Sequence, residues 1–189
     1  MNSLIDVYES FLSANLIFKI NKELNNINIK EYKNKSIKWL AREVLKEKNV
    51  IKYSEKFSGI DFVDLSKDIR CNVAIKQGLI ASDTQIHFDN KSKLNIVVPI
   101  LMNDLEASGL IIFPYFSSFL LRPIVRFKFI SKIIRKFKII QFILKANNIN
   151  YIANTGYIFK GANHAHGVFY RPKSKKSLRA VLTINFRKT

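Results

Sequence analysis

The chain has one cysteine, Cys71, and so no possibility of an internal disulfide; this fits a reducing compartment. Acidic side chains are scarce, 14 Asp and Glu against 32 Lys and Arg, which leaves a formal charge of +18. Such a field attracts polyanions, whether nucleic acid, anionic lipid or acidic glycans. The richness in Lys, Asn and Ile typical of AT-rich coding accounts for part of the lysine, but less well for the missing acids. No apolar run reaches the roughly 20 residues of a membrane-spanning helix. The segment Gly109 to Leu121 is too short, contains Pro114 and is closed by Arg122. The first residues carry Asp6 and Glu9 and no basic stretch ahead of an apolar one, so no secretory signal is read there. A cytoplasmic location is expected, with peripheral attachment to the inner membrane face as a further option. Histidine is nearly absent too: the three, at 87, 164 and 166, lie in two short stretches.

At 189 residues, with 48% hydrophobic and 24% charged side chains, the sequence reads as one globular domain with a full core. The expected division is a helical buttress over 1–56, a β core over 57–119 and 148–189, and a basic helical insertion over 120–147. Leu4, Val7, Tyr8, Phe11 and Leu12 recur at three- and four-residue spacing, which predicts an amphipathic helix. A polar loop around Asn25 to Lys35 follows. Ser36 is placed to cap a second helix bearing Ile37, Leu40, Ala41, Val44 and Leu45, with Trp39 in the core.

From about Phe57 the pattern shifts to short strand-like runs. Ile60 to Leu65 reads as connection and edge, and Asn72 to Leu79 fits either a helical turn or a strand. Thr84 to Asp89 is expected as a strand. Leu94 to Met102 is a continuous apolar run of the kind buried on both faces. Asn103-Asp104 marks a turn, and Gly109 to Phe113 a further strand before Pro114. Such a series predicts a β barrel or sandwich. Between them and the last strands, Leu120 to Asn147 reads as one helix. It has Ile130, Ile133, Ile134, Phe137, Ile140 and Leu144 on one face, and Arg126, Lys128, Lys132, Arg135, Lys136 and Lys138 around the rest. Residues 122–145 therefore suit an anionic membrane surface, or simply a helix packed on the sheet with solvated lysines.

In an extended segment His87 and Asp89 share one face and Ile86 and Phe88 the other. An imidazole and a carboxylate side by side, joined by a second imidazole from a distant strand, make the two-His, one-carboxylate arrangement that holds Fe(II) with open positions. His166 is a candidate for the second imidazole, and His164 an alternative to it. A lone His-x-Asp is otherwise an ordinary hydrogen-bonded pair. In Leu178 to Phe186, alternation puts Ala180, Leu182, Ile184 and Phe186 on one face and Arg179, Val181, Thr183 and Asn185 on the other. Arg179 needs an anionic partner if buried, and a carboxylate gripped in bidentate fashion suits it.

The order His87-x-Asp89, apolar strand, Gly109-leading strand ending in Phe113-Pro114, then Asn163-x-x-His166-Gly167-Val168 and Arg179 resembles the Fe(II)- and 2-oxoglutarate-dependent dioxygenases. The prolyl-hydroxylase-like and phytanoyl-hydroxylase-like members are nearest in pattern. The resemblance runs from about Thr84 to the C-terminus. It implies a mainly β fold, a double-stranded β-helix of jelly-roll or cupin-like type buttressed by N-terminal helices. It further implies iron ligands His87, Asp89 and His166, with His164 beside the site or substituting for His166, and Arg179 on the distal carboxylate of 2-oxoglutarate. Dioxygen and an unidentified substrate complete the set, with ascorbate as reductant. Where the family carries its substrate lid, this chain has the basic insertion, which implies an unusual substrate, anionic or presented at a membrane.

Two other readings compete. One is a non-catalytic basic protein on a cupin-like barrel that binds membrane or nucleic acid in a salt-dependent manner. The other is a cupin-type metal enzyme using His87, His164 and His166, in which Asp89 and Arg179 would be dispensable.

Overall fold

In the computed structural model, the structure describes residues 4–25, 38–77, 86–102, 108–170 and 178–187. Strand alternation organises it. In β8 (Leu178–Arg187) the side chains of Ala180, Leu182, Ile184 and Phe186 are all fully buried on one face, while Val181 packs on the other. β3 (Ser92–Met102) repeats this, with Leu94, Ile96, Val98 and Ile100 to one side and Val97 to the other. It is the doubly buried strand that its apolar run predicts.

With β1 (Asp6–Tyr8), β2 (Ile69–Gln77) and β6 (Gly156–Phe159), these strands form a five-stranded sheet in the order β1-β6-β3-β8-β2. β4 (Ser108–Ile112), β5 (Asn147–Asn150) and β7 (His166–Tyr170) form a three-stranded sheet in the order β5-β4-β7. All strand pairs are antiparallel. The sheets face each other across a core of Val97, Leu110, Ile112, Tyr151, Tyr157, Phe159 and Val181. This is the jelly-roll arrangement expected of the sequence.

Each sheet has a second apolar face, and helices cover both. α1 (Ala14–Asn25), α2 (Lys38–Val44), α3 (Lys48–Ser58) and α4 (Phe62–Leu65) lie against the large sheet through Leu16, Ile20, Leu40, Val44, Val50 and Leu65. α5 (Tyr115–Leu121), α6 (Lys128–Lys136) and α7 (Lys138–Ile143) accompany the small sheet, with Leu121, Val125 and Ile134 packed on Ile111 and Phe113. Cys71 is buried, and burial pushes its thiol up to about 12, so it acts as a small apolar side chain.

Several local expectations give way to tertiary contacts. The helix expected over Leu4 to Leu12 is instead strand β1, paired with β6. The loop after it is pinned by Asn154, which accepts from the Leu12 amide and donates to the Leu12 carbonyl. The first helix begins only at Ala14, where the Ser13 hydroxyl accepts from the Leu16 amide. α2 lies where the second helix was expected, while Ser36 and Ile37 fall outside the described residues. The change to strands comes at Ile69, not near Phe57. α3 runs on to Ser58 and closes on Gly59 at φ 69°, whose amide donates to the Glu55 carbonyl, and Ile60 to Leu65 contains α4. Asn72 to Leu79 resolves as strand as far as Gln77, because β2 pairs along its whole length with β8. The Asn103-Asp104 turn lies outside the described residues.

The long basic helix is three short ones. Pro123 cannot continue α5, and Phe137 adopts extended backbone between α6 and α7. The break leaves terminal carbonyls of α6 open; Gln141 turns inward and its amide donates to one of them, at Ile134.

A Cβ at Gly156 would lie 2.3 Å from the Phe11 ring. Gly156→Ala is expected to destabilise the protein by about 1–3 kcal/mol through overpacking. Gly156→Ala combined with Phe11→Leu should lose less than the sum of the two single changes in urea unfolding, and strict additivity would refute the contact.

Candidate metal centre

The centre is made by two segments far apart in sequence that meet as a single antiparallel bridge. The His87 amide donates to the His166 carbonyl at 2.9 Å and the His166 amide returns the bond to His87 at 3.0 Å. The strand expected over Thr84 to Asp89 is therefore reduced, within the described residues, to this one bridged residue. The bridge suffices to set the two imidazoles side by side, ring centres 4.5 Å apart.

Asp89 completes the group. Its Oδ1 lies 3.5 Å from His87 Nε2 and its Oδ2 lies 3.4 Å from His166 Nε2. One ligand atom from each of the three residues falls within 4.8 Å of the others, so they could hold one metal ion. The His87 side chain is 44% exposed and that of His166 only 6%. The cluster thus sits at an opening of the barrel, with one side on the core.

Neighbouring groups fix each member. His166 Nδ1 lies 2.9 Å from the His164 carbonyl. A carbonyl only accepts, so Nδ1 carries a proton, and Nε2 is the ring atom turned toward Asp89. Asp89 accepts from Asn95 Nδ2, and its amide donates to the Gly161 carbonyl. A Cβ at Gly161 would come within 2.7 Å of the Asn95 amide, so glycine leaves Asn95 room to reach Asp89. Burial pushes the Asp89 carboxyl up, but hydrogen bonds from His166 and Asn95 and the charge of both imidazoles outweigh it and hold it at about 2.

His164 does not share a strand face with His166, because β7 starts at His166. Its Nδ1 turns to the Phe113 carbonyl at 3.0 Å, and burial holds its pKa below the usual histidine value. It lies outside the three-residue cluster, which does not favour the three-histidine arrangement.

The helices after β4 hold both ligand-bearing segments from behind. The Ser131 hydroxyl accepts from the Ile86 amide at 2.8 Å, and the Ser118 hydroxyl accepts from the Ala165 amide at 2.8 Å. Each serine thus takes the amide immediately before a cluster histidine. Arg122 donates to the Ala162 carbonyl at 2.7 Å and lies 4.5 Å from the centre of the Phe88 ring. It ties the two flanking loops to the end of α5.

Deeper in the barrel Arg179 is 3% exposed and donates to the Ser108 hydroxyl at 2.6 Å. Close by is Tyr151, whose phenol oxygen is buried with no hydrogen-bond partner among the described residues. Burial raises the Tyr151 phenol well above its usual range, and the Arg179 charge pulls it part of the way back. A buried cation and an unpartnered hydroxyl inside the barrel suit a small anion with oxygen acceptors.

The sequence singles out the three clustered residues, His164 and Arg179 as candidates, and the structure brings His87, Asp89 and His166 together. Sequence reasoning missed Asn95, Ser108, Ser118, Ser131 and Tyr151. Asn95 and the serines are polar residues interrupting apolar runs, which was the one available signal; Tyr151 gave none.

Comparison with known proteins agrees in fold. No family model and no curated protein sequence matches the chain. Solved structures do. A Pseudomonas putida prolyl-4-hydroxylase is 12% identical, with a TM-score of 0.60 over 98% of this chain and 89% of that one. EvdO2 from Micromonospora carbonacea var. aurantiaca, complexed with 2-oxoglutarate, is 9% identical, with a TM-score of 0.62 over 99% and 87%. The epimerase SnoN from nogalamycin biosynthesis, in complex with Fe3+ and alpha ketoglutarate, is 10% identical, with a TM-score of 0.59 over 99% and 82%. The chain has the fold of the 2-oxoglutarate-dependent oxygenases. Its core is accordingly the double-stranded β-helix.

Ser131→Ala should leave the Ile86 amide buried without an acceptor, at a cost of about 1–3 kcal/mol. Asn95→Ala should weaken binding of Mn(II), read by calorimetry, by roughly 10–100-fold with little change in unfolding midpoint. Unchanged affinity would mean that Asn95 does not position a metal ligand.

Proposed function

We propose that this protein is a non-haem Fe(II)- and 2-oxoglutarate-dependent dioxygenase that hydroxylates an anionic or membrane-presented substrate. The observation that carries the reading is the convergence of His87, Asp89 and His166 at the barrel opening, a donor set suited to iron with open positions.

On this reading His87, Asp89 and His166 hold the metal, and Arg179, Ser108 and Tyr151 take the distal carboxylate of 2-oxoglutarate. Iron with 2-oxoglutarate would supply the activation of dioxygen and the oxidation of a substrate C–H bond, with ascorbate as external reductant. The chain's own contribution is binding and orientation. The His164 carbonyl keeps the His166 proton on Nδ1, and Asn95 turns the Asp89 carboxylate toward the imidazoles. Phe159, packed edge-on to the His166 ring at 4.8 Å, closes the inner side against water. His164 lies against the Phe113 carbonyl just after β4, before the segment that stands where the family that the sequence resembles carries its substrate lid. Residues 1–189 act as one domain, with 120–147 as an insertion in that position.

Turnover of 2-oxoglutarate to succinate with Fe(II) and ascorbate, in the absence of substrate, tests this. Slow succinate formation is expected, abolished in His87→Ala and Asp89→Ala. In Arg179→Ala it should return only at far higher 2-oxoglutarate. Binding of 2-oxoglutarate should also require a divalent metal when redox-inert Mn(II) replaces iron. Absence of both succinate and metal-dependent binding would overturn the assignment.

A further inference from the structure

In the helices after β4, beside the packed Leu121 and Ile134, polar residues face the interior while aromatic residues face out. In α5 the inward residues include Ser117 and Ser118, 6% and 1% exposed, while Tyr115, Phe116, Phe119 and Leu120 face out. In α7 Gln141 is buried, and Ile139, Phe142 and Ile143 are exposed. Phe129 in α6, 74% exposed, and Phe127 just before it add to the face. The polar residues are inside for a reason already given: Ser118 and Gln141 serve backbone groups of the site and of α6. The aromatic and aliphatic residues outside have no such account, and a cluster of this kind marks a surface that something covers.

Charge identifies what covers it. Arg122, Arg126, Lys128, Lys132, Lys136 and Lys138 are exposed among these residues, and the sequence has no Asp or Glu anywhere after Glu106. A second copy of the chain would set one cationic face against another. Nucleic acid would meet the cations and stack on the phenylalanines, but would leave Leu120, Ile139 and Ile143 in contact with water or phosphate. An anionic bilayer answers both parts, with phosphates for the lysines and hydrocarbon for the phenylalanines and isoleucines. A cleft of about 460 Å³ beside α7, lined by Ile111, Phe142 and Phe169 with Lys138 and Asn148, shares Lys138 and Phe142 with this face and sets an apolar hollow beside a cation.

We propose that α5, α6 and α7 with their connections form a docking surface for an anionic lipid bilayer. Ser118, Ser131 and Arg122 join these helices directly to the two ligand-bearing segments. Docking the helices would therefore hold the His87–Asp89–His166 cluster beside the membrane. That consequence rests on the functional reading above, whereas the docking itself does not.

Flotation of the full chain with phosphatidylcholine vesicles, with and without phosphatidylglycerol, tests it. Binding is expected only with phosphatidylglycerol and should be the same in His87→Ala, so a failed metal site and a failed docking surface are told apart. Phe119→Ser/Phe129→Ser/Phe142→Ser and, separately, Lys128→Glu/Lys132→Glu/Lys136→Glu should each weaken it by about tenfold or more. Phe18→Ser, at an equally exposed phenylalanine on α1, should not. Melting temperatures close to that of the unaltered chain would show that the triple variants fold. Four results would overturn the proposal: no flotation, flotation insensitive to the phenylalanine changes, displacement by single-stranded DNA at lower concentration than by lipid, or concentration-dependent dimerisation abolished by the same phenylalanine changes.

Discussion

Two backbone hydrogen bonds between His87 and His166 are the constraint on which the site depends. They join segments far apart in sequence and remove the freedom of either to slide, because a shift of one residue would send an imidazole to the opposite face. Once the bridge is made, Asp89 lies between the two rings without an intervening strand, held by Asn95 and by the Gly161 carbonyl. The pairing is short, and its strength comes from the serines behind it. Ser118 and Ser131 satisfy the amides at Ala165 and Ile86, which would otherwise be buried and unpaired.

That support shapes the helices after β4. A helix that presents serines to the protein interior has fewer apolar residues to bury there, and here its phenylalanines stand on the outside. The same hydrogen bonds that steady the site leave an apolar, strongly basic face beside it. The three-residue cluster and this face are thus two sides of one arrangement.

The other end of the barrel works by contrast. Around Arg179 lie Ser108 and Tyr151, and the apolar core of Val97, Ile112, Phe159 and Val181 belongs to the same interior. On the proposed function this buried cation meets the anionic end of the cosubstrate, since burial makes its attraction strong and its desolvation costly.

Much of the fold was legible in the sequence where a single face or a single pattern decided it. The even and odd positions of Leu178 to Phe186 needed only alternation, and Leu94 to Met102 only its continuous apolar run. His87, Asp89, His166 and Arg179 stood out as candidates because histidine is scarce and arginine is out of place on a buried strand. The errors have a common cause: at Leu4 to Leu12 and at Leu120 to Asn147 the spacing was helical, but edge pairing to β6 and the break at Phe137 overrode it. Local periodicity is a weak preference that a few tertiary hydrogen bonds reverse. By itself the sequence determined which side chains could meet in a metal site, because their chemistry and strand parity are local properties. Only the tertiary structure decided that His166 and not His164 joins the cluster, and that the serines of the insertion face inward. Those outcomes depend on where β7 begins and on which buried amides need an acceptor, and both are set by segments distant in the chain.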